Sequence, residues 1–350
     1  MPVGGGKYEK RTRNLGKLEI DPCHEYKYLG DVIMRNGGNK RNIEEKEIKV
    51  MVATRKIIAI SRNSVIKKIQ LKALMKMHET CTVATLLTNC EGWVLNKGER
   101  EKLQKIELWA LKKILNIPIT TPTPAIWFLT GLIMTPIQID KRQLIYLKTI
   151  LDRPTEDWTR KMLHILRNLG TGWASQIDKK LEEYNLERSW QKISQQPKAT
   201  WKNAVIAATE QKNKEELIDM CCTVKGEKTK TKFVLDALRD TKYERKTHNA
   251  ILNRDGLKSR AQIMAMCGML DCGKNYKFGY GGTTCRTCDA VDDENHRINE
   301  CCKFKERNLY ESEIKYDFDT IYSNEEESVI RTIEVIMLLW NLENGQNVMK

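Results

Sequence analysis

The stretch "GEREKLQKIELWALKKILNIP", Gly98 to Pro118, decides the fold class. Projected at 100° per residue, Leu103, Ile106, Ala110, Leu111 and Ile114 fall on one broad face, while Lys102, Lys105, Lys112 and Lys113 gather on the other with Trp109 among them. That is the pattern of a helix packed on one side, starting near Gly98 and stopping at Pro118, where "IPITTPTP" breaks it. The apolar face is read as core. The lysine face is either a solvated surface or a phosphate-contacting one, and Trp109 is expected to pack against a neighbouring helix.

The same periodicity extends in both directions. Upstream, one helix is predicted over residues 41–60, with Asn39 or Asn42 near its start. A second is predicted from an N-cap at Ser64 to about Thr88. Downstream, helix-like segments run through residues 125–220, broken at Pro136, Pro154, "GTGW" and Pro197, and resume near 233–239 and 263. The tryptophans of "EDWTRK", "GWASQ", "RSWQK" and "TWKNAV" (Trp158, Trp173, Trp190 and Trp201) are read as inter-helix packing residues. Only the start differs. "KLEI" and "YKYLGDVI" are rich in β-branched and aromatic residues, divided by Asp21-Pro22 and followed by the turn "RNGG", so a short hairpin or two strands are expected. Too small to stand alone, this piece suggests a chain that begins partway into a larger fold. The expected fold is mainly α, with a β-hairpin remnant over 1–38, a helical bundle over 39–160, a helical connection over 161–262, a cysteine-rich region over 263–310 and an acidic helical tail over 311–350.

Charge is distributed unevenly along the 350 residues. The whole chain carries +14; residues 1–120 hold 24 basic and 13 acidic side chains, or +11, and residues 303–350 hold 6 and 10, or −4. A basic body with an acidic tail suits a polyanionic partner such as nucleic acid, although an ordinary basic protein would read the same way. The N-terminal "MPVGGGKYEKRTRN" has no apolar signal segment, and the late apolar run "VIMLLW" is too short to span a bilayer. An intracellular setting, nucleus or cytoplasm, without membrane association, is therefore expected. There the eleven cysteines would be thiols or metal ligands rather than disulfides.

Near the C-terminal end, "CRTCDAVDDENHRINECC" sets Cys285, Cys288, His296 and Cys301 at Cys-x2-Cys-x7-His-x4-Cys. Two intervening residues let two thiolates converge from one turn. His296 and Cys301, five apart, can converge if their segment is a distorted helix or a turn. Thiolate and imidazole suit one zinc ion, and four protein ligands leave no position for a catalytic water, so the site should be structural. Cys302 could replace Cys301, and Cys267 and Cys272 could complete an all-cysteine site with Cys285 and Cys288. Seven candidate ligands are one short of a two-zinc ring module.

Taken in order, "YKYLGDVI", the basic helices, "LLTNCEGW" with "EGWVLNKGEREKLQKIELWALKKILNIP", and the late Cys-x2-Cys-x7-His-x4-Cys resemble the part that follows the catalytic palm in reverse transcriptases of non-LTR (LINE-type) retrotransposons. The similarity covers most of residues 17–302. It implies that Tyr28, Leu29 and Gly30 belong to a primer-grip hairpin and that the helices after it form a thumb with Glu91 and Trp93 as structural residues. It further implies that Cys285, Cys288, His296 and Cys301 bind zinc. A thumb implies contact with RNA or an RNA–DNA duplex through phosphates rather than sequence. The family's paired catalytic aspartates are missing: the only Asp-Asp pair, Asp292-Asp293, lies inside the cysteine cluster. Alone the chain should be inactive as a polymerase. The alternative expectations are a zinc-stabilised protein-interaction module and a polymerase subunit needing a palm partner in trans.

Overall fold

In a computed structural model of the chain, the described residues are 13–20, 23–62, 69–223, 228–239 and 256–267, together with 269, 284–285, 288–291, 293, 296, 300–301 and 333. The fold is mainly α with small antiparallel β pieces at the N-terminal end. Here "YKYLGDVI" forms a complete hairpin by itself, and "KLEI" supplies one strand of another. Strands β1 (Arg13–Leu15) and β2 (Leu18–Ile20) pair with each other, as do β3 (Glu25–Tyr28) and β4 (Asp31–Met34). Leu29 and Gly30 form the two-residue turn of β3–β4 with φ of +46° and +90°. Both positive values match a type I′ turn, whose geometry follows the right-handed twist of the flanking strands.

The helices are α1 (Lys40–Arg62), α2 (Leu71–Met77), a π-helical segment (His78–Val83), α3 (Ala84–Leu86) and α4 (Lys97–Leu115). They continue as α5 (Thr123–Thr130), α6 (Thr135–Leu151), α7 (Trp158–Asn168), α8 (Gly172–Glu183), α9 (Trp190–Gln195), α10 (Lys198–Thr223), α11 (Lys228–Arg239) and α12 (Gly256–Met266). The expected helix over 41–60 and the one ending at Pro118 are α1 and α4. The proposed cap Ser64 and the tail over 311–350, apart from Ile333, lie outside the described residues. Helix α4 starts at a reciprocal capping box: the Glu99 N–H donates to Asn96 Oδ1 at 2.9 Å, and the Asn96 N–H donates to Glu99 Oε2 at 2.9 Å. At its other end Ile117 N–H reaches back to the Lys112 carbonyl (3.1 Å) around Asn116 at φ +53°, a left-handed stop made before Pro118 arrives.

The chain divides into two compact units, each drawn from several segments. In the first (1–58, 77–111 and 133–216), Ile43 and Val50 of α1, Leu86, Leu87, Trp93, Leu103, Ile106 and Ile139 form one buried cluster, with half-buried Trp109 against it. Helices α6 and α8 hold the 87–95 loop by its carbonyls. Gln143 donates to Cys90 O and Trp93 O (both 2.8 Å), Trp173 Nε1 to Glu91 O (2.7 Å), and Gln176 to Leu95 O (3.1 Å). A loop with four of its backbone acceptors taken by side chains of rigid helices holds its shape without regular structure of its own. Glu91 and Trp93 thus sit at a structural junction.

A charged knot ties the same unit together. Asp140, 1% exposed, accepts from both Arg100 nitrogens (2.8 and 2.5 Å), from Tyr184 Oη (3.0 Å), and pairs with Lys180 at 2.7 Å. Burial pushes the Asp140 carboxyl up, but the Arg100 hydrogen bonds and the Lys180 charge outweigh it and hold the group below the usual carboxylate range. Burial draws Lys180 down despite the same carboxylate. The Asp140 direction governs, because its charge alone is shared by two cations and a phenol. A second buried polar cluster, His78 Nε2 to Glu107 Oε1 (3.4 Å) with Thr135 donating to Glu107 Oε2, sits where the helix widens to π geometry.

In the second unit (59–76, 112–132 and 217–350), Trp127, Leu129, Val234, Ile263 and Ala265 are buried, and Phe128 meets Phe233 edge-on with centroids 6.1 Å apart. Helix α5 stops at Gly131, whose φ of +65° lets its N–H reach the Trp127 carbonyl at 3.1 Å.

Candidate metal centre

Among the described residues, Cys285, Cys288, His296 and Cys301 bring one thiol or ring nitrogen each to within 4.8 Å of one another. Local backbone geometry explains how. The Asp289 N–H donates to Cys285 O at 2.9 Å and the Cys285 N–H to Ala290 O at 2.7 Å, closing a tight turn around the Cys-x2-Cys pair. Asp289 lies at φ +53°, a conformation that aspartate tolerates better than most residues. Thr284 and Val291 bridge across the base of the turn. On the other side, Asp293 caps the His296 N–H at 2.9 Å. The Cys301 N–H then reaches the His296 carbonyl, five residues back, at 2.7 Å. This π-type turn is wider than an α-turn, and it brings His296 and Cys301 to one side despite their spacing.

The donor atoms face one another in pairs: Cys285 Sγ and Cys301 Sγ at 3.7 Å, Cys288 Sγ and His296 Nε2 at 3.2 Å. Cys285, His296 and Cys301 are buried. With Nε2 turned inward, His296 Nδ1 faces the Glu300 carboxylate at 3.8 Å, the side from which a carboxylate orients a metal-bound imidazole. Three thiols and an imidazole gathered in a buried space could hold a metal ion, and all four donors come from the protein. Among the described residues Cys301 is the fourth member of the group; Cys302 and Cys272 lie outside the described residues, and Cys267 ends α12 with its N–H on Ile263 O (3.0 Å). Elsewhere burial pushes the Cys90 thiol up to about 12 and Cys221 up to about 11, so these two are packing residues rather than reactive thiolates.

The other expected contact residues lie away from this cluster in sequence. Leu29 is 78% exposed at the hairpin tip, with Tyr26 and Tyr28 exposed beside it. The hairpin is braced by α1 and by Asn89. Lys46, itself buried, pairs with Asp31 (3.0 Å), Lys27 pairs with Glu45 (3.1 Å), Val32 N–H donates to Asn42 (3.3 Å), and Asn89 donates to Leu29 O (3.1 Å). Of the α4 lysines, Lys105 and Lys113 are exposed. Lys102 pairs with Glu47 at 3.3 Å, and Lys112 donates to Ile119 O at 2.5 Å.

Sequence reasoning passed over the Asp140 knot and misread one tryptophan. Trp190 and Trp201 are buried and Trp173 is half-buried, as packing residues should be, but Trp158 is exposed. All four are flanked by polar residues, and only the neighbouring helix decides which is covered.

What the fold and site define is a mainly helical chain with a closed Cys3His candidate metal centre. Compared with known proteins, it matches no family model, no curated protein and no solved structure. No described helix is long and apolar enough to cross a membrane.

Proposed function

We infer that the chain is the thumb-and-knuckle part of a non-LTR reverse-transcriptase-like protein, binding RNA or an RNA–DNA duplex without sequence preference and stabilised by one zinc ion. The hairpin at Tyr26–Ile33 carries the reading. Its turn puts a leucine in a left-handed conformation that costs a non-glycine residue roughly 1–2 kcal/mol; Asn89 holds the turn, and three contacts to α1 hold the strands on either side of it. Strain kept at an exposed, braced tip is a mark of a contact site. In the family that "YLG" resembles, this hairpin grips the primer, and the basic helical bundle that follows it here fits a thumb.

Zinc is the metal the donor set favours, since thiolate and imidazole without a carboxylate select a borderline-soft tetrahedral ion. The Cys285–Cys301 separation of 3.7 Å agrees with the edge of a tetrahedron of about 2.3 Å zinc–sulfur bonds. Cys285, Cys288, His296 and Cys301 would hold it, and its role would be to fix the segment around residues 284–301. The one Asp-Asp pair in this sequence, Asp292-Asp293, lies among the candidate metal ligands, so the role proposed for these residues is nucleic-acid binding rather than phosphoryl transfer.

The test is charge reversal on α4. Lys105→Glu with Lys113→Glu should weaken binding of a fluorescent RNA–DNA duplex by about tenfold or more, equally for unrelated sequences. Unchanged affinity, or a loss confined to one sequence, would remove the thumb reading.

A further inference from the structure

Helix α7 presents an apolar stripe to solvent. Trp158, Met162, Ile165 and Leu169 are 76%, 46%, 47% and 65% exposed, and their spacing of four, three and four residues places them along one line of the helix. The helix behind the stripe is firmly fixed. Leu163 is buried, Arg167 pairs with Asp178 (3.1 Å) and stacks 4.0 Å over Trp190, and His164 lies 5.9 Å from the same ring. Asp157 caps the first turn through the N–H groups of Thr159 (2.8 Å) and Arg160 (3.2 Å). Past the last turn, Thr171 N–H closes on Leu166 O (3.2 Å) around Gly170 at φ +61°. A rigid, capped helix that leaves a tryptophan and three aliphatic side chains in water has the form of an interaction surface.

Charge narrows the choice of occupant. Residues Trp158–Asn168 include Arg160, Lys161 and Arg167 and no carboxylate. Lys161 is exposed at the border of the stripe, with its ammonium 5.6 Å over the Trp158 ring. A second copy laid along the stripe would bring like charges together. It would also cover only four side chains per copy, short of the roughly 800 Å² a side that a stable dimer buries. We propose that α7 docks an acidic amphipathic helix of a partner protein. Its apolar residues lie against the stripe and a carboxylate pairs with Lys161, in the helix-against-helix mode.

The test uses the full chain and a fluorescein-labelled designed helical peptide of about 18 residues, long enough to form a helix. The peptide carries leucines at heptad spacing with flanking glutamates; a twin has lysines in their place. The glutamate peptide should bind, and Trp158→Ala should weaken it about tenfold, as loss of an interface aromatic does. Lys161→Glu should reverse the preference between the twins. Circular dichroism should be unchanged in both variants, because both side chains are exposed. Binding of neither peptide, equal binding of both, or insensitivity to Trp158→Ala overturns the proposal. A dimer in sedimentation that Trp158→Ala abolishes would give the stripe to a second copy. Phosphatidylserine vesicles captured only by the wild type would give it to a membrane surface. Either outcome refutes the proposed partner.

Discussion

Replacing Asp140 with alanine removes the one carboxylate that Arg100, Lys180 and Tyr184 share. The cost follows from what remains. Lys180 and Arg100 keep their charges in a buried setting, and Tyr184 loses its acceptor, so the loss should match that of breaking a buried ion pair, about 3–5 kcal/mol. At a few degrees per kcal/mol for a unit of this size, Tm should fall by roughly 6–20 °C. The pH profile carries a second signature. A carboxylate held below its usual range contributes stability above its unfolded pKa of about 3.9 and loses it as pH falls through the depressed folded value. The gap between wild type and Asp140→Ala should therefore be constant above about pH 4 and narrow below it. Thermal melts followed by circular dichroism from pH 2 to pH 7 (a range chosen to bracket that titration) provide both readings. A loss under about 1 kcal/mol, within the range of an exposed ion pair, would show that the knot is solvated and refute this reasoning.

Cys288→Ser should abolish bound zinc, measured as metal per chain, and loosen the segment around residues 284–301 while helices α1 to α9 keep their far-ultraviolet signal; one ion per chain in the variant would contradict the ligand set. Leu29→Asn should raise stability by about 1 kcal/mol, because asparagine accepts the left-handed turn, and should weaken duplex binding if the leucine side chain touches the primer. A lower denaturation midpoint would show that the turn is not strained. Glu300→Gln should leave zinc stoichiometry intact and lower zinc affinity by about tenfold in a chelator competition; no change would mean that Glu300 does not orient His296.

How much of this was legible in sequence depended on the range of the forces involved. The apolar face of α4 is a local, periodic pattern, and Leu103, Ile106, Ala110, Leu111 and Ile114 are all buried. The Cys-x2-Cys turn is equally local. The convergence of His296 with Cys301 was legible only as a possibility, since it needs a turn wider than an α-helix provides. Asp140 lies forty residues from Arg100 and forty from Lys180. A single carboxylate in "PIQIDKRQ" reads as solvated until the fold delivers its partners. Trp158 and Trp190 have similar polar neighbours, and no local signal tells which one another helix covers; it is Trp190, met by Arg167 and His164 of α7. The capping box Asn96-x-x-Glu99 was readable and marks the start of α4 at the residue where the helix begins.

The proposed phosphate contact by a basic thumb would release counterions, and duplex affinity would then fall steeply with salt. If Lys102, Lys105, Lys112 and Lys113 each neutralise one phosphate, the slope of log K against log salt should be about −3 to −4, roughly a hundredfold loss between about 50 and 200 mM. With Lys102 and Lys112 held by Glu47 and Ile119 O, the slope should be nearer −2. Anisotropy titrations of an RNA–DNA duplex across that range decide the matter. A slope of about −2 or steeper, the same for unrelated sequences, is the predicted result, and a slope near zero would contradict nucleic-acid binding by this chain.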